Sequence, residues 1–170
     1  LTVQANGYVT AINTVDVRPQ VQNIVREVHV NEGQEVRRGQ RLFTLDERSD
    51  SASFDKAKAQ LARNRVDLAE AEATLKRNID LLENKFISQS VVDTARSKVD
   101  SLRAAMQAEE AALQASKVSL GNNQISASMN GRIGAISVHP GSLAQPTGAP
   151  LLTISQLDPI AVSFTVPERE

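Results

Sequence analysis

Cysteine and tryptophan are absent from this sequence of 170 residues, and only 3% of its residues are aromatic. Without cysteine the chain can form neither disulfides nor thiolate metal sites, and its two histidines are too few for an ordinary zinc site. The formal net charge of −1 provides no basic surface for nucleic acid. We therefore expect no bound metal, no cofactor and no nucleic-acid partner.

Long apolar runs and catalytic motifs are also missing. No run approaches the roughly 20 apolar residues that span a bilayer, and no signal-peptide pattern is present. The sequence has no nucleophile elbow, no glycine loop that would cradle a phosphate, and no distinctive carboxylate or histidine constellation. We therefore expect that the protein is not an enzyme. Because it starts at Leu1 without a methionine, we expect a mature protein or a trimmed piece of a longer one.

Glycine and proline do not occur between residues 40 and 120, which favours a long helical segment there. Apolar residues recur every seven positions in two series, over residues 54–82 and 92–120. Two series of heptads joined by a short break predict an antiparallel two-helix coiled coil over residues 48–121, with its tip near residues 84–90. The predicted seam between the helices includes Leu61, Leu68, Leu75, Leu82, Val92, Val99, Met106 and Leu113.

Polar residues interrupt this seam at Asn64, Asn78, Glu109 and Ser116. They either fix the register of the helices at some cost in stability or occupy near-surface positions of the hairpin. Alanines such as Ala108 and Ala112 gather off the seam. These either reflect helix propensity alone or let neighbouring hairpins approach closely.

The segments on either side of the insert repeat one another, so that Val25 aligns with Ile133 and Leu42 with Leu151. Alternating apolar residues in both copies predict short, half-buried strands. Positive φ is expected at four glycines in tight turns: Gly33, Gly39, Gly141 and Gly148. Each half is too small to bury a core alone, so we expect the two halves to fold together into a sandwich.

The order half-motif, helical hairpin, half-motif resembles that of the periplasmic adaptors, or membrane fusion proteins, of tripartite efflux pumps. The first half reads V-N-E-G-Q-E-V-R-R-G-Q-R-L-F-T-L-D and the second I-S-A-S-M-N-G-R-I-G-A-I. The resemblance covers nearly the whole chain and implies an α+β fold. A lipoyl-like β-sandwich (barrel-sandwich hybrid), built from two half-motifs at residues 13–47 and 122–156, would be interrupted by the long antiparallel coiled-coil hairpin. Strands of an incomplete β-barrel are expected at residues 1–12 and 157–170.

Two positions depart from the family pattern. Asn23 stands where the second half has Gly131, and Ala127 is followed by Ser128 rather than by the usual proline. Both departures concern turns of the lipoyl-like domain and leave the hairpin tip unaffected.

The tip carries a second resemblance. In the resistance-nodulation-division branch of this family, an Arg, a Leu four residues later and a Ser seven beyond that contact the outer-membrane channel. This chain has Arg77, Leu81 and Ser88 at those spacings. The resemblance implies that these three residues dock to an outer-membrane channel of the TolC type. Phe86 and Ile87 are apolar in a predicted loop, and they either fold back to support the tip or form an exposed apolar docking point. Ser88 is expected to cap the second helix.

The family resemblance also implies a non-catalytic adaptor that links an inner-membrane transporter to that channel. It implies a homo-oligomer, a hexameric ring, in the periplasm of a Gram-negative bacterium and attached to the inner membrane. An adaptor of an ABC-type exporter is an alternative. Antibiotics, detergents, dyes and metal ions are all possible cargo, and the sequence does not choose among them.

Lipoyl-like folds also serve a different class of function, that of the lipoyl and biotinyl carriers. Such carriers present a modified Lys on a tight turn between the two halves, and the lipoyl version reads Asp-Lys-Ala, which occurs here at residues 55–57. Ala57 belongs to the heptad pattern, so we expect Lys56 to project from the start of a long helix and to remain unmodified. A purely structural coiled-coil protein would explain the heptads but not the repeated β halves.

Overall fold

The computed structural model describes residues 7–164 and divides the chain into two units. The β unit takes its described residues from 7–47 and 122–164, and the helical unit is Arg48–Gly121. The elements in chain order are β1 (Gly7–Ala11), β2 (Thr14–Val17), β3 (Asn23–Val28), β4 (Glu35–Val36), β5 (Arg41–Leu45), α1 (Arg48–Glu83), α2 (Gln89–Gly121), β6 (Gln124–Ser126), β7 (Gly131–Ile136), β8 (Leu143–Ala144), β9 (Leu152–Ser155) and β10 (Ile160–Phe164).

The β unit contains two antiparallel four-stranded sheets, in the orders β2-β9-β7-β4 and β6-β5-β3-β8. Each sheet takes two strands from the first half of the repeat and two from the second. Replacing every strand by its repeat equivalent converts one sheet into the other. Neither half therefore forms a sheet by itself, which explains why the sequence carries both copies.

Hydrogen bonds between the two halves of the repeat also occur in equivalent pairs. The Gly33 N–H donates to the Ile133 carbonyl oxygen at 2.9 Å, and at the equivalent place the Gly141 N–H donates to the Val25 carbonyl oxygen at 2.8 Å. These bonds fix each tight turn of one half against a strand of the other. The predicted β-sandwich built from two half-motifs is confirmed.

The core lies between the two sheets and consists of equivalent apolar pairs. Phe43 and Leu45 are fully buried, and their counterparts Leu152 and Ile154 are buried to within 1% of complete. The remaining buried members of this cluster are Val17, Val25, Val30, Val36, Leu42, Ile125, Ala127, Ile133, Ala144 and Leu151. Both halves contribute to one common core, and β5 is buried on both faces because its consecutive residues from Leu42 to Leu45 are all buried.

Three of the four predicted turn glycines have positive φ: 76° at Gly33, 84° at Gly39 and 93° at Gly141. The prediction for Gly148 is wrong. Its N–H donates to the Gln145 carbonyl oxygen at 3.2 Å, so Gly148 closes the turn as its fourth residue. Pro146 at the second position and glycine at the fourth are the pattern of a type I turn, which needs no positive φ.

The two halves differ at Asn23 and Gly131. A Cβ at Gly131 would lie 2.5 Å from the Ser155 carbonyl oxygen, so only glycine fits there. At the equivalent position the Asn23 Nδ2 donates to the Asp46 carbonyl oxygen at 2.6 Å and to the fully buried Asn123 Oδ1 at 3.0 Å. Asn23 is the first of the two departures from the family pattern. Its side-chain hydrogen bonds take the place of the close backbone contact that is found at Gly131.

A separate ribbon is formed by β1 and β10, with Val9 opposite Val162 and both side chains exposed. The predicted strand pair is present over these elements. Residues 1–6 and 165–170 of the predicted strands lie outside the described residues. The proposed domain boundaries at residues 12 and 157 stay predictions.

The helical unit is the predicted antiparallel hairpin of α1 and α2. At 1.5 Å per residue the two helices are each about 50 Å long. The Arg103 Nη2 and the Glu72 Oε1, one from each helix, form an ion pair at 2.9 Å. Across residues 7–164, neither helix is both long enough and apolar enough to cross a membrane.

Candidate functional site

The tip of the hairpin begins where α1 ends, in a Schellman motif. The Lys85 N–H donates to the Leu82 carbonyl oxygen at 2.8 Å, and the Phe86 N–H donates to the Leu81 carbonyl oxygen at 2.9 Å. This pair of bonds satisfies the last carbonyls of the helix, and its left-handed position is usually glycine. Lys85 occupies that position here, with φ of 62°. Residues 84–88 then connect directly to α2.

Arg77 and Leu81 share one face of α1 because they lie four residues apart. Both side chains are exposed, Leu81 to 41%. The Arg77 Nη2 donates to the Thr74 Oγ1 at 3.1 Å, and within the described part of the chain the guanidinium forms no ion pair. Most of its donors are therefore available to a partner.

Ser88 immediately precedes Gln89, the first residue of α2, and is exposed. The prediction that its hydroxyl caps α2 is wrong: the Val91 N–H donates to the Ser88 carbonyl oxygen at 3.2 Å, and over residues 7–164 the hydroxyl has no hydrogen-bond partner. A full capping box would need an acidic or amide residue where Val91 stands. The hydroxyl is consequently available for contacts outside the chain.

The two apolar residues of the tip lie in different environments. Phe86 is 76% exposed, whereas Ile87 is half-buried. Half-burial of Ile87 is what a residue supporting the turn would show, and the supporting role of both residues stays a prediction. The structure brings Arg77, Leu81 and Ser88 to the same end of the hairpin, and the docking role predicted for them is taken up below.

Lys85 was missed by the sequence reasoning. In a sequence, a Schellman motif is normally recognised by a glycine one or two residues beyond the helix. Here the segment from Glu83 to Ser88 contains no glycine. The only local signal is Asn84, which often favours helix ends, and its Nδ2 donates to the Asp80 carbonyl oxygen at 2.8 Å.

Along the shaft of the hairpin, the predicted seam residues are the less exposed ones. Leu61, Leu68, Val92 and Val99 are buried, and Leu75, Leu82, Met106 and Leu113 are half-buried. The polar seam positions are also half-buried. Asn64 accepts a hydrogen bond from Gln60 of the same helix at 3.1 Å, which fits a near-surface position better than a pairing across the seam.

The lysine that a carrier domain would modify lies away from the tip. Lys56 is exposed within α1, not on a strand turn. Among the described residues, no group of three or more His, Asp or Glu side chains is placed to hold a metal ion.

Comparisons with known proteins, by sequence and by structure, find membrane fusion proteins and multidrug export or resistance proteins. A family model described as the barrel-sandwich hybrid domain of RND MFP proteins matches residues 13–155. The multidrug export protein AcrE of Escherichia coli (strain K12) is 35% identical over 160 residues, which cover 94% of this chain and 42% of AcrE. The multidrug resistance protein MdtA of Proteus mirabilis (strain HI4320) is 32% identical over 167 residues, which cover 98% of this chain and 41% of MdtA.

The chain thus spans less than half the length of these curated relatives. Among solved structures, the membrane fusion protein Spr0693 from Streptococcus pneumoniae R6 matches with a TM-score of 0.70 at 19% identity, over 92% of this chain and 67% of that one. At this identity the likeness concerns the fold alone.

Proposed function

The chain belongs to the membrane fusion proteins of the resistance-nodulation-division (RND) transporters, and from that premise we propose that it acts as the periplasmic adaptor of a tripartite efflux pump. In this role it links an inner-membrane transporter to an outer-membrane channel of the TolC type. The adaptor carries no catalytic step, and its contribution is mechanical. It holds the other two components together and seals the path of the cargo.

One observation carries the proposal: Arg77, Leu81 and Ser88 lie exposed at the tip of a hairpin about 50 Å long. Arg77 has unused guanidinium donors, Ser88 has an unpaired hydroxyl, and Leu81 offers an apolar surface beside them. This mixture of one cation, one hydroxyl and one apolar group suits a partner surface with an apolar centre and a polar rim. The tip is therefore the docking surface for the channel.

The remaining parts of the proposal follow the family. We place the protein in the periplasm, attached to the inner membrane, and assemble six copies into a ring around a conduit. The RND type of the matched family favours a transporter of that type over an ABC-type exporter. AcrE and MdtA are named for multidrug export and resistance, and we extend that class of cargo to this protein.

Charge reversal at the tip tests the proposal. The full-length protein is expressed with its native pump partners in cells lacking the chromosomal copy, and the minimal inhibitory drug concentration is measured for Arg77→Asp. The matched control is Arg63→Asp. Arg63 lies two heptads earlier on the same face of α1, about 21 Å from Arg77 along the helix, and likewise donates to a side chain three residues before it.

We expect Arg77→Asp to reduce resistance to the level of the deletion strain, because it places a carboxylate where the partner meets a cation. Arg63→Asp should retain resistance. Equal resistance in both variants, at equal protein levels, would show that docking does not use this end of the hairpin.

A further inference from the structure

Lys85 holds a backbone conformation that its side chain disfavours. It is the one residue other than glycine with positive φ in the described part of the chain. Left-handed φ is uncommon outside glycine, asparagine and aspartate, and it persists only where the surrounding structure enforces it. Two backbone hydrogen bonds enforce it here, those donated by the N–H groups of Lys85 and Phe86 to the last turn of α1.

The consequence of this conformation is the placement of Phe86 beside Leu81. The Phe86 N–H bonds the Leu81 carbonyl oxygen at 2.9 Å, which brings the backbones of the two residues together across the turn. In a Schellman motif these two positions commonly carry apolar residues in contact. Without the left-handed residue between them, the chain would leave α1 in another direction and the two residues would separate.

Both residues face solvent. Phe86, at 76%, is the most exposed of the large apolar side chains among the described residues, and Leu81 is 41% exposed. The neighbouring Ile87 is half-buried, so the tip has room to shield an apolar side chain but does not shield Phe86. The left-handed backbone of Lys85 costs free energy, and strain of this kind clusters at functional sites.

We propose that Lys85 is a positioning residue and that Leu81 and Phe86 form one apolar anchor, the knob, which inserts into an apolar pocket between helices of the outer-membrane channel. This inference rests on the proposed docking of the tip and names the group that supplies its affinity. Arg77 and Ser88 would then form the polar surroundings of the knob. The ammonium of Lys85 plays no part, since its backbone does the positioning.

The partner's pocket follows from the chemistry of the knob. An aromatic and a branched aliphatic side chain bind best in a fully desolvated apolar pocket, and such central anchors dominate the energetics of interfaces. The backbone N–H groups of Lys85 and Phe86 are already bonded within the turn. The pocket therefore needs no donors or acceptors for them, and polar groups are required only at its rim.

The test uses five variants of the full-length protein expressed with its pump partners. It measures capture of the channel by a crosslinker placed at position 90, which is exposed near the start of α2 and is not one of the proposed docking residues. Lys85→Gly keeps the left-handed conformation and removes the ammonium, whereas Lys85→Val removes the ammonium and disfavours the conformation. Phe86→Ala truncates the knob. Val66→Ala is its control, because Val66 is 66% exposed on the shaft of α1.

We expect Lys85→Gly and Val66→Ala to retain capture, and Lys85→Val and Phe86→Ala to lose at least tenfold. Circular dichroism shows whether the hairpin of each variant is folded, and Lys85→Asn, which tolerates left-handed φ, should also retain capture if Lys85→Val loses helix. Loss in Lys85→Gly would assign the effect to charge and overturn the inference, as would unchanged capture in Phe86→Ala or in a folded Lys85→Val. Absence of capture by the unsubstituted tip would instead contradict the proposed function itself.

Discussion

The β unit and the helical unit bury their apolar residues to very different degrees. In the β unit, Phe43, Leu45 and Ile154 are completely buried. In the hairpin, four residues are buried among the described ones, and the rest of the seam is half-exposed. Two helices alone can cover only one stripe of each other, so most of the hairpin surface faces solvent. The β unit therefore encloses a complete core, whereas the hairpin leaves most of its surface exposed.

The largest expected effect is in the β unit. Phe43→Ala should lower its free energy of unfolding by about 3–5 kcal/mol, because it removes a completely buried aromatic side chain and leaves a cavity. Chemical denaturation followed by circular dichroism measures the loss. Phe43→Leu serves as the control and should cost less than about 2 kcal/mol, since much of the volume remains. Equal costs would mean that the sandwich does not depend on dense packing at this position.

A smaller and more local effect is expected in the hairpin. Leu68→Ala should cost about 2 kcal/mol, at the lower end for a leucine, because the seam is open to solvent along its flanks. Hydrogen exchange should become faster in α1 and α2 and stay unchanged in the strands of the β unit. Faster exchange in both units would show that they unfold together and would contradict separate stabilities of the β unit and the hairpin.

The smallest predicted change, that of Gly134→Ala, comes from a comparison of two glycines in one strand. Gly131→Ala should cost about 1–3 kcal/mol, because the new Cβ would lie 2.5 Å from the Ser155 carbonyl oxygen. Gly134→Ala, three residues along β7, brings its Cβ no closer than 3.5 Å to the Thr153 carbonyl oxygen and should change stability by less than about 1 kcal/mol. Thermal unfolding of the two variants side by side gives the comparison. Similar melting temperatures would contradict the close approach at Gly131.

Much of the fold followed from two periodicities in the sequence. The seven-residue spacing of Leu61, Leu68, Val92 and Val99 predicted the hairpin, and the repeated apolar positions predicted the sandwich. The pairing of strands from one half with strands from the other could not be predicted in this way. A repeat shows which residues are equivalent but not which strands pair. The turn at Gly148 was mispredicted for a related reason: the extra residue in the second copy moved the glycine from the third to the fourth position of its turn.

The candidate site was predictable only in part. The spacing of Arg77, Leu81 and Ser88 can be read from the chain, and all three are exposed at the tip. The left-handed Lys85 could not be predicted, because lysine rarely adopts that conformation and no glycine marks the turn. Nor could the sequence separate the exposed Phe86 from the half-buried Ile87, which depends on how the connection folds over the helix ends.

The central claim, that the tip meets the outer-membrane channel, is tested most directly by crosslinking. Because the sequence has no cysteine, Ser88→Cys gives the full-length protein a single reactive position in this region. The control is Ser101→Cys, exposed on α2 about 20 Å further along the helix. In intact cells with the native pump partners, we expect capture of the channel from position 88, little from position 101, and loss of capture when Arg77→Asp is added. Failure to capture the channel from position 88, while Ser126→Cys in the β unit captures the inner-membrane transporter, would contradict docking by the tip.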